Sequence, residues 1–312
     1  MVDERAFTAS LAHFFGSARD VEVGIGDDAA VVKNRGAESV LCCDPVVEGV
    51  HFASDAPPQL VGRKAVNRNL SDLAAMAAVP DWLLVSLVLP HGYAPRRRRA
   101  LLEGLRAAAR AGGCTVVGGD VATSDGPLVV TVTAIGHLAG RALLRSTARV
   151  GDTLHVTGPL GGSSRGHHLR FRPALREGVW LAQQRAVHAA IDVSDGLLLD
   201  LYTLLQASGG LGAELDAEAV PIRAAARALA KGDRAAALQH ALGDGEDHVL
   251  LWTQAAGSTL PAGGPLTKLA RRPIGRVVAG SGLWLATDGR RERVAPVGFR
   301  HGFAAPHLAP AR

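Results

Sequence analysis

Cysteine is scarce in this chain: Cys42, Cys43 and Cys114 are the only three among 312 residues. Three cannot build a disulfide framework, and their spacing is not that of a zinc site. They fit a reducing compartment. No apolar run approaches the ~20 residues that cross a bilayer, which excludes a membrane-spanning helix. Met1–Arg5 is acidic and polar, unlike a secretory leader. Neither sign of charge dominates: 34 Lys and Arg against 29 Asp and Glu leave +5, too little for a nucleic-acid footprint. Thirty-seven glycines follow no G-x-y period, which excludes collagen. The chain also lacks G-x-x-x-x-G-K-[ST], H-R-D, D-F-G and H-E-x-x-H. These absences lead us to expect a soluble cytoplasmic protein with neither a membrane nor a nucleic-acid partner.

What is present is globular: 47% hydrophobic and 20% charged residues over a length that suits two domains. Short apolar runs alternate with longer stretches of helical period. Strands are expected over Val40–Cys43, Leu83–Leu89, Thr115–Val117, Leu128–Leu138, Thr153–Thr157, His248–Thr253 and Gly275–Val278. Helices are expected over Phe7–Phe15, Leu60–Met76, Pro95–Ala111, Leu197–Ala207, Ile222–Ala230 and Arg234–Leu242. Several strands between Thr115 and Thr157 follow one another with no helix between them. The expected class is therefore α/β with α+β layers, not a doubly wound parallel sheet. The basic, polar stretch Arg141–Arg149 marks a boundary, giving expected domains of 1–145 and 146–312.

Five segments set aspartates beside glycine or at the end of an apolar run: Gly24–Ala30, Cys42–Asp44, Asn69–Asp72, Gly118–Asp120 and Ile191–Gly196. A carboxylate near apolar surroundings is costly unless paired or bound to a cation. Lysine is too rare to pair them, with four in the whole chain. Magnesium commonly joins a few carboxylates to substrate phosphates, so converging aspartates point to Mg²⁺ holding a polyphosphate. Each loop alone is better explained as turn or cap chemistry than as catalysis, and Ser194 or Asp195 can simply cap the helix at Leu197. Gly24-Ile25-Gly26-Asp27-Asp28-Ala29 formally matches a dinucleotide fingerprint. Its two carboxylates would repel a pyrophosphate, and Ala30-Val31-Val32 reads as strand.

The segments GIGDDAAVV (24–32), CCDPVVEGVHF (42–52), KAVNRNLSDLAAMAAVP (64–80), VVGGDV (116–121), GRALLRSTARVGD (140–152), VTGPLG (156–161), IDVSDGLLLDL (191–201) and GDGEDHVLLWT (243–253) together resemble thiamine-monophosphate kinases. That family belongs to the superfamily of aminoimidazole-ribonucleotide synthetase and selenophosphate synthetase. The resemblance implies an N-terminal, dimer-forming α/β domain contributing to an intersubunit β-barrel, with a C-terminal α/β domain closing the groove. It implies a homodimer that uses ATP, with several Mg²⁺ ions, to phosphorylate thiamine monophosphate to thiamine diphosphate by direct transfer. The alternatives are another ATP-using enzyme of the superfamily with a different acceptor, and a non-catalytic nucleotide-binding dimer.

Carried over by position, the resemblance makes Asp28, Cys42, Cys43, Asp44, Asp72, Asp120, Asp192 and Asp195 the metal set. Asp72, Asp120 and Asp195 are the residues closest to catalysis. Gly119, Asp120, Arg145 and Ser194 fall at nucleotide positions, and His51, Glu246 and Phe299 at substrate positions. Cys42 and Cys43 stand where the family has Ser or Thr, and a neutral thiol is a poor magnesium ligand. Gly162, Ala174 and His248 also depart from the family's pattern, all on the substrate side. His51 alone reads as a buried histidine, Glu246 as a turn residue, Phe299 as core, and Lys64 equally as a phosphate-neutralising residue or a helix-surface lysine.

Overall fold

The computed structural model describes residues 11, 13–16, 20–23, 31–34, 36 and 38–300. In chain order the first half carries β1 (Val21–Val23), β2 (Val31–Val32), β3 (Ser39–Val47), α1 (Pro58–Ala75), β4 (Ala78–Pro90), α2 (Pro95–Gly112), β5 (Thr115–Ser124) and β6 (Val129–Leu138). The second half carries β7 (Thr153–Val156), α3 (His167–Arg170), α4 (Leu175–Ala182), β8 (Val187–Asp192), α5 (Leu197–Ala207), β9 (Gly212–Asp216), α6 (Ala224–Leu229), α7 (Arg234–Gly243), β10 (Leu250–Gln254), β11 (Gly275–Val278), β12 (Gly282–Thr287) and β13 (Arg290–Val294). This is an α/β protein, as expected.

Two larger sheets are built from separate stretches of chain. The first has four strands in the order β3-β6-β4-β5, with only the β4/β5 pair parallel. The second has seven in the order β13-β12-β9-β11-β7-β10-β8, with only β12/β9 parallel. In the first sheet the side chains alternate cleanly. Val130, Val132 and Ala134 of β6 are fully buried, with Leu83, Val85 and Leu87 of β4 on the same side against α1 and α2. The opposite face, with Leu41 at 64% exposure, is uncovered in the single chain.

α1 is the element on which both halves meet. It packs on β3, β4, β6 and α2 from the first half, and on α3, α4 and β8 from the second. Most of its length is buried, yet it carries Lys64, Asn67, Asn69 and Ser71 into the interior. A buried polar group without a partner costs on the order of 1–3 kcal/mol, so each needs one. The Lys64 ammonium meets Glu246, Asn67 Nδ2 donates to the Phe171 carbonyl at 2.7 Å, and Ser71 Oγ donates to Asp192 at 2.7 Å. All three partners come from the second half. Asn69 accepts from the Asp44 N–H at 2.9 Å and donates to the Ala65 carbonyl.

Most expected elements form, with shifted ends. The Thr115–Val117 run continues as strand to Ser124, taking Gly118-Gly119-Asp120 into a sheet rather than a loop. The patterning missed β1, α3, α4, β8, β9, β12 and β13. β13 is Arg-Arg-Glu-Arg-Val, a polar edge strand defined by its pairing with β12 and not by any apolar period. The expected Phe7–Phe15 helix lies largely outside the described residues.

The contact between α1 and α2 rests on two glycines. A Cβ on Gly104 would run into the Gln59 carbonyl, and one on Gly62 into that of Leu101, so the backbones touch. Alanine is the better helix former by about 1 kcal/mol, but overpacking typically costs 1–3 kcal/mol. We expect Gly104→Ala to lower stability in urea denaturation. An unchanged or higher midpoint contradicts the backbone contact.

Candidate functional site

On α1, Lys64, Arg68 and Asp72 recur every fourth residue and so form one stripe. β3 supplies Asp44, which alternation places on the same side as Cys42 and buried Val46. The end of β8 supplies Asp192, 2% exposed. Arg68 Nε donates to Asp44 Oδ2 at 2.8 Å, and Ser71 beside the stripe holds Asp192. Burial, then the charges of Asp192 and Asp44, push the Asp72 carboxyl up to about 8, against the pull of Arg68 and Arg145. For Asp192, burial opposes ionisation. Contacts with His248 and Ser71, together with Arg145, outweigh it and hold the carboxyl below its usual range. Three aspartates from β3, α1 and β8 therefore share one local field, and not all of them ionise freely in it.

A second group forms where the α5 N-terminus meets the loop before β10. Asp200, in the first turn of α5, accepts from the N–H groups of Asp195 and Gly196 at 2.9 and 3.0 Å. Burial, then Asp192, pushes its carboxyl up to about 8. The Ser194 carbonyl accepts from Glu246 N–H at 2.7 Å, and that of Asp195 from Phe299 N–H at 2.8 Å. Glu246 and His248 adopt left-handed backbone, with φ of 52° and 47°. Such strain in residues with side chains persists only where the surroundings impose it, and it gathers at functional sites. Here it turns Glu246 toward α1, where the fully buried Lys64 Nζ meets Glu246 Oε1 at 2.5 Å and donates to the His51 carbonyl. His51 Nδ1 in turn accepts from the Val47 N–H at 3.0 Å.

The fold thus brings Asp44, Asp72, Asp192 and Arg145 into one electrostatic neighbourhood, and His51 and Glu246 onto one lysine. Ser194 and Asp195 flank the same loop as Asp192, and Phe299 lies against Asp195, 45% exposed. Asp28 lies outside the described residues. Cys42 lies beside Asp72 and donates to the Asn69 carbonyl. Burial, then the charges of Asp72 and Asp44, push its thiol far above the usual range, so it stays protonated. Cys43 points to the opposite face of β3, where its sulfur accepts from Thr133 Oγ1 at 3.2 Å. Its side chain is therefore not on the Asp44 side.

Gly119 and Asp120 sit within β5 just past a bulge, and a Cβ on Gly119 (φ 151°) would run into the Val85 carbonyl. Asp120 pairs in register with Ser86 and is exposed on the uncovered sheet face. It is not among the charges that move Asp72. Among the described residues, no three carboxylate, imidazole or thiol groups come together closely enough to hold an ion by themselves.

Four contributors were missed by sequence reasoning. Lys64 is not a surface lysine but fully buried. It and Arg68 were recoverable from their spacing to Asp72. In the sequence Ser71 reads only as part of a loop, and Asp200 as part of a helix. Nothing in the sequence alone says that they reach Asp192 and the Asp195-Gly196 amides.

The domain model described as "AIR synthase related protein, N-terminal domain" matches residues 26–138. The thiamine-monophosphate kinase of Rhodopirellula baltica is 41% identical over 315 residues, covering 96% of this chain and 97% of that protein. Among solved structures, the thiamine-monophosphate kinase of Stenotrophomonas maltophilia is 33% identical, with a TM-score of 0.75 over 91% of this chain and 95% of that one. The structure described as AaThiL complexed with AMPPCP and TMP is 29% identical, with a TM-score of 0.76 over 96% of this chain and 97% of that one.

The raised Asp72 carboxyl has a consequence for folding. Its proton is lost near 3.8 in the unfolded chain but only near 8 in the fold. The stabilisation from keeping it protonated is whole below pH 3.8 and is lost as pH rises through about 8. We expect Asp72→Asn to be more stable than the parent at pH 8.5 in EDTA, with a smaller gain at pH 5.5, by urea denaturation. Equal stabilities at both pH values contradict a carboxyl raised by burial and by its charged neighbours.

Proposed function

We propose that this chain, which belongs to the thiamine-monophosphate kinase family, transfers the γ-phosphoryl group of ATP to the phosphate of thiamine monophosphate. The products are thiamine diphosphate and ADP. The observation that carries the reading is the convergence of Asp44, Asp72 and Asp192 from β3, α1 and β8 on one local field. It is supported by the 96% of the chain that aligns with a structure holding AMPPCP and TMP.

The donor set fits Mg²⁺. Hard oxygen ligands predominate, and burial, then the charges of Asp192 and Asp44, drive the Asp72 carboxyl up to about 8 when no cation offsets them. Two or three carboxylates spread over several elements, with no tight protein-only cage, suit an ion that keeps waters and shares substrate phosphates. We assign Asp28, Asp44, Asp72, Asp192 and Asp195 to this role, and Asp120, which lies on the uncovered sheet face, to ions or phosphate approached from that side. At Cys42 and Cys43 only the backbone carbonyl is a suitable oxygen, since the Cys42 thiol stays protonated and the Cys43 thiol faces away. When bound, the ions neutralise the triphosphate and the attacking phosphate.

The remaining chemistry belongs to positioning. A phosphate oxygen is already anionic, so the attack needs no general base, only alignment and relief of repulsion. Arg145, which reaches the field of Asp72 and Asp192, is placed to meet phosphate oxygens, with Gly119 and Ser194 on the nucleotide. His51 and Glu246, fixed by Lys64, face the acceptor, and Phe299 offers an exposed ring for a heteroaromatic group.

The uncovered face of the first sheet, with Leu41 and Asp120, is the surface we assign to a second copy of this chain, forming an intersubunit barrel. Residues 1–145 and 146–312 are the corresponding domains. Unbridged cysteines fit the cytoplasm, and no helix among the described residues is long and apolar enough to cross a membrane.

The test is ADP formation that depends on added thiamine monophosphate, by a dimer in sedimentation equilibrium. Asp72→Asn should lower kcat/KM on the order of 10²–10³-fold, the scale set by losing one charge-stabilising group. A folded protein that makes ADP equally well without the acceptor contradicts the proposal, as does an Asp72→Asn enzyme of full activity.

A further inference from the structure

α1 has a second functional face. Gln59, Leu60, Arg63, Asn67 and Leu70, turned away from the Lys64–Arg68–Asp72 stripe, form one wall of a cleft of about 920 Å³. The other walls come from α2, from the Arg172–Glu177 stretch, and from Arg223, Asp247 and His248. The volume lies in the range of small-molecule sites.

The lining is rich in guanidinium groups whose charge the protein leaves unbalanced. Arg223 is accounted for: it donates to Asp247 at 2.7 Å, and Asp247 also accepts from the Gly161 N–H. His167 accepts from Arg223 through Nδ1 at 2.9 Å and is held neutral, its pKa pulled down to about 4 chiefly by burial. Arg63, Arg172 and Arg176 have no ion pair among the described residues, and the one carboxylate left to face them is Glu177. Arg63 is pre-set by its own contacts, donating from Nη2 to the carbonyls of Arg170 and Phe171 at 3.0 and 3.3 Å. Burial, then Arg172 and Arg170, pull its pKa down, so these like charges crowd one another.

A second observation is independent of the arginines. His248 lines the cleft, 3% exposed and stacked on Phe171 with ring centroids 4.0 Å apart. Its Nδ1 lies 3.4 Å from Asp192, and its Nε2 is buried with no hydrogen-bond partner. Like charges held together are what an anion would relieve, and with Nδ1–H turned to Asp192 the free Nε2 can accept from a hydroxyl or protonated phosphate oxygen of the same ligand. Planar guanidinium groups match phosphate oxygens in particular.

We propose that this cleft binds a phosphorylated small molecule, at an anion site separate from the aspartate cluster and divided from it by the His248–Phe171 wall. Arg63, Arg172 and Arg176 supply the positive charge. The shared chemistry is the phosphoryl group, carried either by free polyphosphate or by a nucleotide.

Equilibrium dialysis of the full chain against inorganic diphosphate in EDTA, at fixed ionic strength, tests this without metal-dependent binding at the aspartate cluster. The parent should retain one equivalent. The double variant Arg172→Ala/Arg176→Ala should bind at least tenfold more weakly. Both residues are exposed and make no hydrogen bond among the described residues, so its melting temperature should not change. Arg145→Ala, which alters the aspartate cluster, should bind as the parent does. No retention by the parent overturns the proposal, and so does loss of binding in Arg145→Ala with none in the double variant. ADP retained more tightly than diphosphate assigns the site to a nucleotide, and equal retention to free polyphosphate. The outcome is independent of kinase activity.

Discussion

A helix buried on several sides that still carries a lysine, two asparagines and a serine has few ways to be stable. Each polar group must find a partner, and α1 finds three of its four in the other half of the chain: Glu246, the Phe171 carbonyl and Asp192. The same bonds that satisfy the helix also dock the two sheets. They draw the loop at 243–248 and the end of β8 toward β3, and so assemble the site. Removing one partner of such a buried pair costs far more than the pair is worth in net stability. The placement of the site and the integrity of the fold therefore depend on one set of contacts.

The aspartate cluster shows the opposite economy. Asp72 and Asp200 are each pushed up to about 8 chiefly by burial, and in both cases Asp192 adds to the shift. Left without cations, this is a destabilising arrangement of like charges. A fold built for stability alone would replace some of these carboxylates with apolar side chains. The left-handed backbone at Glu246 and His248 is a further local cost in the same region. Both kinds of strain lie where we propose that phosphate chemistry occurs.

Much of this was legible in the sequence, for physical reasons that differ by residue. Asp44, Asp72 and Asp192 are flanked by apolar residues, so their nearness to the core could be read directly, although Asp44 and Asp72 lie inside β3 and α1 rather than at element ends. Strand alternation already implied that Cys42 and Cys43 face opposite ways, although both were grouped as metal contacts. The helix-surface reading of Lys64 fails because its burial depends on the second half packing over α1, which no local period reports. The same holds for the Asp200 carboxylate under the Asp195-Gly196 amides and for the polar strand β13. Asp120 looked like a loop aspartate beside two glycines, yet those glycines serve a bulge and a close strand contact within β5.

The central claim is that acids from both halves of the chain are gathered to hold magnesium against a triphosphate. A crystal structure with Mg²⁺ and a non-hydrolysable ATP analogue tests it most directly. The account requires metal density bridging phosphate oxygens to Asp72 and to at least one of Asp44 and Asp192. A triphosphate bound elsewhere, or ions that leave Asp72 untouched, would contradict it.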